Sequence, residues 1–189
     1  DWPRWWLCFV LPWCVMAGQQ YEAVRQLYGS VANIAAYRFA VDELPRGHGL
    51  LFPQAEATYY RAVYVILTEK SDYAPGDYIL GLYEQPNLIY LVGGKSPGSG
   101  SYYHESIFGK RYNSTLLERL GGEELAHALI IVNRDEIAPD VLRVMRSKGA
   151  RFPEAYQQIG ELPEYGTDKT LRIYAPKNRV RSYKEISPK

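Results

Sequence analysis

Ala128-Leu129-Ile130-Ile131-Val132 is the stretch that decides the fold. Five apolar residues without alternation mark a strand covered on both faces, since a half-exposed strand alternates apolar and polar side chains. Such a strand needs partners above and below its sheet, and amphipathic helices lie on either side of it in sequence. Upstream, Tyr60, Val63, Tyr64 and Leu67 fall at i, i+3, i+4 and i+7, the spacing of one helical face. Pro53 suits the first turn of that helix and Glu56 suits its dipole. Downstream, Ile137, Val141, Val144 and Met145 form another stripe, stopped near Gly149.

Further units surround these. Residues 47–52 form a short apolar run closed by Pro53, expected to be a buried strand. The turn Ala74-Pro75-Gly76-Asp77 feeds a strand at 78–83. Pro86 opens a helix through Tyr90, Leu91 and Val92, with Gly93-Gly94 as its stop. Thr115 and Glu118 have the spacing of a capping box for a short helix ending at Gly121-Gly122. Two strands, 156–162 and 170–175, flank a turn, and Leu171, Ile173 and Ala175 share one face. The expected fold is α/β: a mostly parallel three-layer sandwich with a C-terminal β-hairpin.

The ends differ from the middle. Residues 5–18 carry no charge and hold Trp5, Trp6 and Trp13, the residue favoured at membrane interfaces. The stretch is shorter than the roughly 20 residues a span needs. It is expected to be the end of a transmembrane helix that begins upstream, followed by a connecting helix. Cys8 and Cys14, six apart on a helix, point to different sides and serve as small apolar fillers. From residue 169 onward Lys and Arg dominate, with Glu185 as the lone acid, so 177–189 is expected to be a basic tail able to meet anionic headgroups. The divisions are therefore 1–36, 37–176 and 177–189.

Composition excludes several classes. Basic and acidic residues number 22 and 21, which gives no electrostatic case for a nucleic-acid partner. Two Cys and three His exclude a zinc ribbon or a disulfide scaffold. The 17 Tyr suit a wet binding surface, each offering an apolar face and a polar tip. Gly94-Lys95-Ser96 lacks the earlier glycine of a phosphate loop, since Ile89 stands there. Ser99 lacks the flanking glycines of a nucleophile elbow. His48, His104 and His127 have no ligand-like spacing. Asn113-Ser114-Thr115 matches a glycosylation acceptor and equally a helix cap.

No catalytic residue, metal or cofactor is therefore expected within the chain. Ligands of open α/β sheets bind beyond the carboxyl ends of the strands. There the sequence places Gln54, then Glu84 and Gln85, then Asn133 and Arg134, with Tyr102 and Tyr103 in the loop 95–113. These seven residues are the expected binding surface.

One passage carries a family resemblance: Ala74-Pro75-Gly76-Asp77-Tyr78-Ile79-Leu80, then Gln85-Pro86-Asn87-Leu88-Ile89-Tyr90-Leu91-Val92-Gly93-Gly94-Lys95-Ser96-Pro97. With Tyr59-Tyr60-Arg61-Ala62-Val63 before it and Ile173-Tyr174 after it, residues 40–176 resemble the soluble C-terminal domain of GT-C-type membrane glycosyltransferases. These are enzymes related to protein mannosyltransferases and aminoarabinose transferases. The resemblance implies a polyprenyl-phosphate sugar donor and catalytic residues outside this chain. It also implies an extracytoplasmic, periplasmic domain that binds or gates a glycan or lipid-linked acceptor. The alternative is a stand-alone, single-span anchored α/β binding or assembly protein without enzymatic activity.

Overall fold

The computed structural model describes residues 36–83, 86–97 and 112–181. Two short strands, β1 (Phe39–Ala40) and β2 (Leu51–Phe52), pair antiparallel in a ribbon of their own. Helix α1 (Gln54–Lys70) follows, then β3 (Ile79–Leu82) and α2 (Pro86–Leu91). Helices α3 (Tyr112–Glu118) and α4 (Gly122–Ala126) precede β4 (Leu129–Val132). Helix α5 (Pro139–Ser147) leads to the hairpin of β5 (Tyr156–Pro163) and β6 (Thr170–Pro176). A 3-10 turn, Lys177–Arg179, ends the described fold.

The main sheet has the order β3-β4-β6-β5. Only β3 and β4 are parallel; β4 with β6 and β6 with β5 run antiparallel. The sheet is thus mixed, which corrects the expected mostly parallel arrangement. Two causes stand out. The run at 47–52 does not enter this sheet: only Leu51 and Phe52 are strand, paired to β1, and Leu51 is exposed rather than buried. And the hairpin inserts its second strand, not its first, against β4.

The central strand behaves as its composition dictates. All four residues of β4 are buried and alternate between two separate apolar clusters. Leu129 and Ile131 join Ile79, Leu171, Ile173 and Ala175 beneath Ala57, Val63 and Leu67 of α1 and Leu88 of α2. Ile130 and Val132 join Leu80 and Leu82 against Leu117 of α3, Leu125 of α4 and Val141, Val144 and Met145 of α5. Both amphipathic stripes are therefore used as expected. Helix α1 comes so close to β5 that a Cβ on Gly160 would lie 2.5 Å from Cγ2 of Ile66, beside a β-bulge in that strand.

Helix α2 stops at Gly93, whose φ of +84° is costly for any residue with a Cβ. Helix α3 starts at Tyr112, so Thr115 lies inside it and not at a capping box. Gly121 serves instead as N-cap of α4. Residues 177–181 are tied to the body: the Lys177 amide donates to the Ala155 carbonyl and the Arg181 amide to the Lys70 carbonyl. Among the described residues no helix is long and apolar enough to cross a membrane. The expected transmembrane end and connecting helix, up to residue 35, and the tail beyond 181 lie outside the described residues.

Candidate functional site

The carboxyl ends of β3 and β4 open onto a cleft of about 660 Å³ lined by Tyr83, Asn133, Arg134, Asp135, Glu136 and Lys169, among others. The turn of the β5–β6 hairpin closes its far side, because β6 runs antiparallel to β4 with Arg172 beside Val132.

Tyr83 follows β3 directly. It is 2% exposed and has a φ of +66°, a left-handed conformation that costs a bulky residue about 1–2 kcal/mol. Its hydroxyl accepts a hydrogen bond from the Ala138 amide at 3.3 Å, and the Arg134 guanidinium lies over its ring at 4.2 Å. The strained backbone thus turns the ring under the β4–α5 loop, where it anchors that loop at two points.

Asn133 is the next element. It is 3% exposed. Its Nδ2 donates to both carboxylate oxygens of Glu164, at 3.0 Å each. That donation fixes the amide orientation, since a carboxylate can only accept. Its Oδ1 is then left buried with no hydrogen-bond partner among the described residues. A buried acceptor without a donor costs about 1–3 kcal/mol, so it stands out as a place where a donor is wanted.

Arg172 ties the loop to the hairpin. It donates to Asp135 Oδ1 at 2.7 Å and to the Arg134 carbonyl at 3.3 Å, and it lies 3.6 Å from Glu161. The hydrogen bond to Asp135 holds its guanidinium all the more firmly charged. Glu164 also accepts from the Thr167 hydroxyl, at 2.9 Å, inside the hairpin turn. On the α1 side of that turn, Tyr59 has its hydroxyl buried and without a partner among the described residues. Burial, and then the Glu164 carboxylate, push its pKa well above the usual tyrosine value.

Of the seven expected residues, Asn133 and Arg134 line this cleft together. Gln54 is the exposed first residue of α1. Glu84, Gln85, Tyr102 and Tyr103 lie outside the described residues. Sequence reasoning ended the strand 78–83 on Tyr83, at the ligand-facing end, but missed Glu164, Lys169 and Arg172. For Arg172 a signal existed, a charge set between Leu171 and Ile173 in an alternating strand. Its partner could be known only from the strand order.

A larger hollow, about 960 Å³, lies at the opposite end, lined by His127, Arg146, Arg151, Glu154, Tyr156 and Lys177, among others. Its polar groups are mostly engaged with one another. Arg146 pairs with Glu154 at 2.6 Å, Lys177 donates to the Glu154 carbonyl, and the Tyr156 hydroxyl is 3.5 Å from the Leu125 and Ala126 carbonyls. Size therefore points one way and unsatisfied chemistry the other. The smaller cleft is the better candidate because a buried group there still lacks a partner.

The cleft offers an acceptor at Asn133 and cations at Arg134 and Lys169. The Asn133 oxygen is suited to a ligand's hydroxyl or N–H donor, and the cations to a ligand's acceptor or anionic group. Among the described residues no group of three or more His, Cys, Asp and Glu side chains could hold a metal ion. Comparison with protein-family models, curated proteins and solved structures found no significant match.

Proposed function

We propose that this chain is the extracytoplasmic accessory domain of a polytopic membrane glycosyltransferase that uses a polyprenyl-phosphate sugar donor. In this reading residues 37–176 bind or gate the acceptor, and the catalytic residues lie elsewhere in the parent protein. The observation that carries acceptor binding is the buried, unpartnered Oδ1 of Asn133 at the carboxyl end of the parallel pair. Acceptor hydroxyls are the donors it lacks. Support for the parent enzyme comes from the sequence passage 74–97 and from the uncharged, Trp-bearing stretch 5–18. The same reading takes the two helical groups as the outer layers of a three-layer arrangement. The two apolar clusters, one with α1 and α2 and the other with α3, α4 and α5, support it.

An immunoblot of source-cell membranes with an antibody to residues 40–176 tests the first half. A band several times heavier than 21.6 kDa is expected. That protein, purified, should transfer sugar from a lipid-phosphate donor. A band near 21.6 kDa would instead favour the single-span anchored binding protein and end the glycosyltransferase reading.

A further inference from the structure

The described residues expose seven large apolar side chains, and five of them lie on or beside the β1–β2 ribbon or on α2, which the Arg46 amide joins through the Leu91 carbonyl. Tyr37 and Phe39 enter or occupy β1, Leu50 and Leu51 enter or occupy β2, and Tyr90 stands on α2. The other two, Val65 and Tyr165, lie on α1 and the hairpin turn.

The strand register explains the exposure. Phe39 pairs with Phe52 and Ala40 with Leu51, so the two pairs take opposite faces of the ribbon. Phe52 packs edge-on against Tyr60 of α1, with ring centroids 5.1 Å apart, and so turns inward. Leu51, on the other face, is 51% exposed. The ribbon is rigidly mounted: Arg61 of α1 holds both Glu43 and the Ala40 carbonyl, and Asp42 accepts from the Gly49 amide. Leu51 is therefore held out by a fixed backbone.

The surrounding charges favour a specific partner. Glu43 is engaged by Arg61, and Asp42 faces His48 at 3.4 Å. Arg38 forms no ion pair among the described residues, and Arg46 lies 4.8 Å from the Tyr90 ring centroid. Aromatic rings, leucines and unpaired arginines together match the composition that settles at an anionic membrane surface. The patch also begins at residue 37, directly after residues 1–35 with their uncharged stretch and three tryptophans.

We propose that the outward face of the β1–β2 ribbon, the face that carries Leu51, rests in the lipid headgroup region of the membrane. This rests on the membrane-anchored reading above and adds which face of the domain meets the bilayer.

The test uses the whole 189-residue chain in phosphatidylcholine–phosphatidylglycerol vesicles, with Cys8→Ser and Cys14→Ser as background. A bimane probe is placed on Leu51→Cys and, as a control, on Val65→Cys on α1, which is 45% exposed against 51% for Leu51. The expected result is a blue shift at 51 that brominated lipids quench, with neither effect at 65. A chain that floats with the vesicles while the probe at 51 stays in water overturns this proposal and leaves anchoring intact. A blue shift at 51 without quenching also overturns it, since the chain's own N-terminal residues or a second copy then cover the ribbon. A chain that does not float overturns the anchored reading and this proposal with it.

Discussion

At the amino end of β3 and β4, Arg179 donates to Asp72 at 2.6 Å, to the His127 carbonyl at 2.9 Å and to Asp77. At the carboxyl end, Asn133 donates through Nδ2 to the Glu164 carboxylate and leaves its carbonyl oxygen buried with no partner among the described residues. Both ends join segments far apart in the chain. One does so with its polar groups matched, as structural polar groups usually are. The other retains a deficit and a strained residue, Tyr83, side by side. Unmet hydrogen-bonding capacity beside backbone strain is the observation on which the proposed acceptor site rests.

The contrast can be broken by substitution. Arg179→Ala should have the largest effect. It strands Asp72, Asp77 and a carbonyl around a side chain only 14% exposed, at a cost of about 2–3 kcal/mol. Denaturant unfolding should show a lower midpoint with an unchanged slope. A loss below about 0.5 kcal/mol, the level of a surface substitution, would remove the closed end from the comparison.

A pH effect follows at the same end. Burial pushes the Tyr156 hydroxyl up to about 12, with Arg179 partly offsetting it. The unfolded tyrosine ionises near 10, so between these values the unfolded state binds fewer protons. The contribution is complete below pH 10 and is lost as pH rises through about 12. Tyr156→Phe should flatten that alkaline decline in the thermal midpoint; an unchanged pH profile would contradict it.

Asn133→Ala should cost less, about 1 kcal/mol or under. Losing the donation to a carboxylate is offset by removing a buried, unpaired oxygen. A cost near that of Arg179→Ala would mean that Oδ1 is satisfied after all. Smallest is Tyr59→Phe. It deletes a buried hydroxyl without a partner among the described residues, so the midpoint should hold or rise slightly. Destabilisation by more than about 1 kcal/mol would show that this hydroxyl is hydrogen-bonded.

Much of this fold is legible in the chain, and the reason is local. The uninterrupted run of β4 and the stripes of α1 and α5 each report their own burial, and the structure uses them so. The hairpin follows from Leu171, Ile173 and Ala175 sharing a face. Sheet order is not local. Nothing within residues 47–52 says that Leu51 pairs with Ala40 and not with the main sheet. The candidate site divides along the same line. Asn133 and Arg134 follow from their position after a buried strand. Glu164 and Arg172 reach them from 31 and 38 residues away, through a register only the fold defines.

If the chain belongs to the proposed glycosyltransferase, the most direct measurement is acceptor kinetics in that full-length protein carrying Asn133→Ala, beside Arg151→Ala from the opposite hollow. Asn133→Ala should raise the acceptor KM about tenfold, the worth of one hydrogen bond to a ligand, and leave the donor KM alone. Arg151→Ala should change neither. An unchanged acceptor KM in a folded Asn133→Ala enzyme would contradict the assignment of the carboxyl-end cleft.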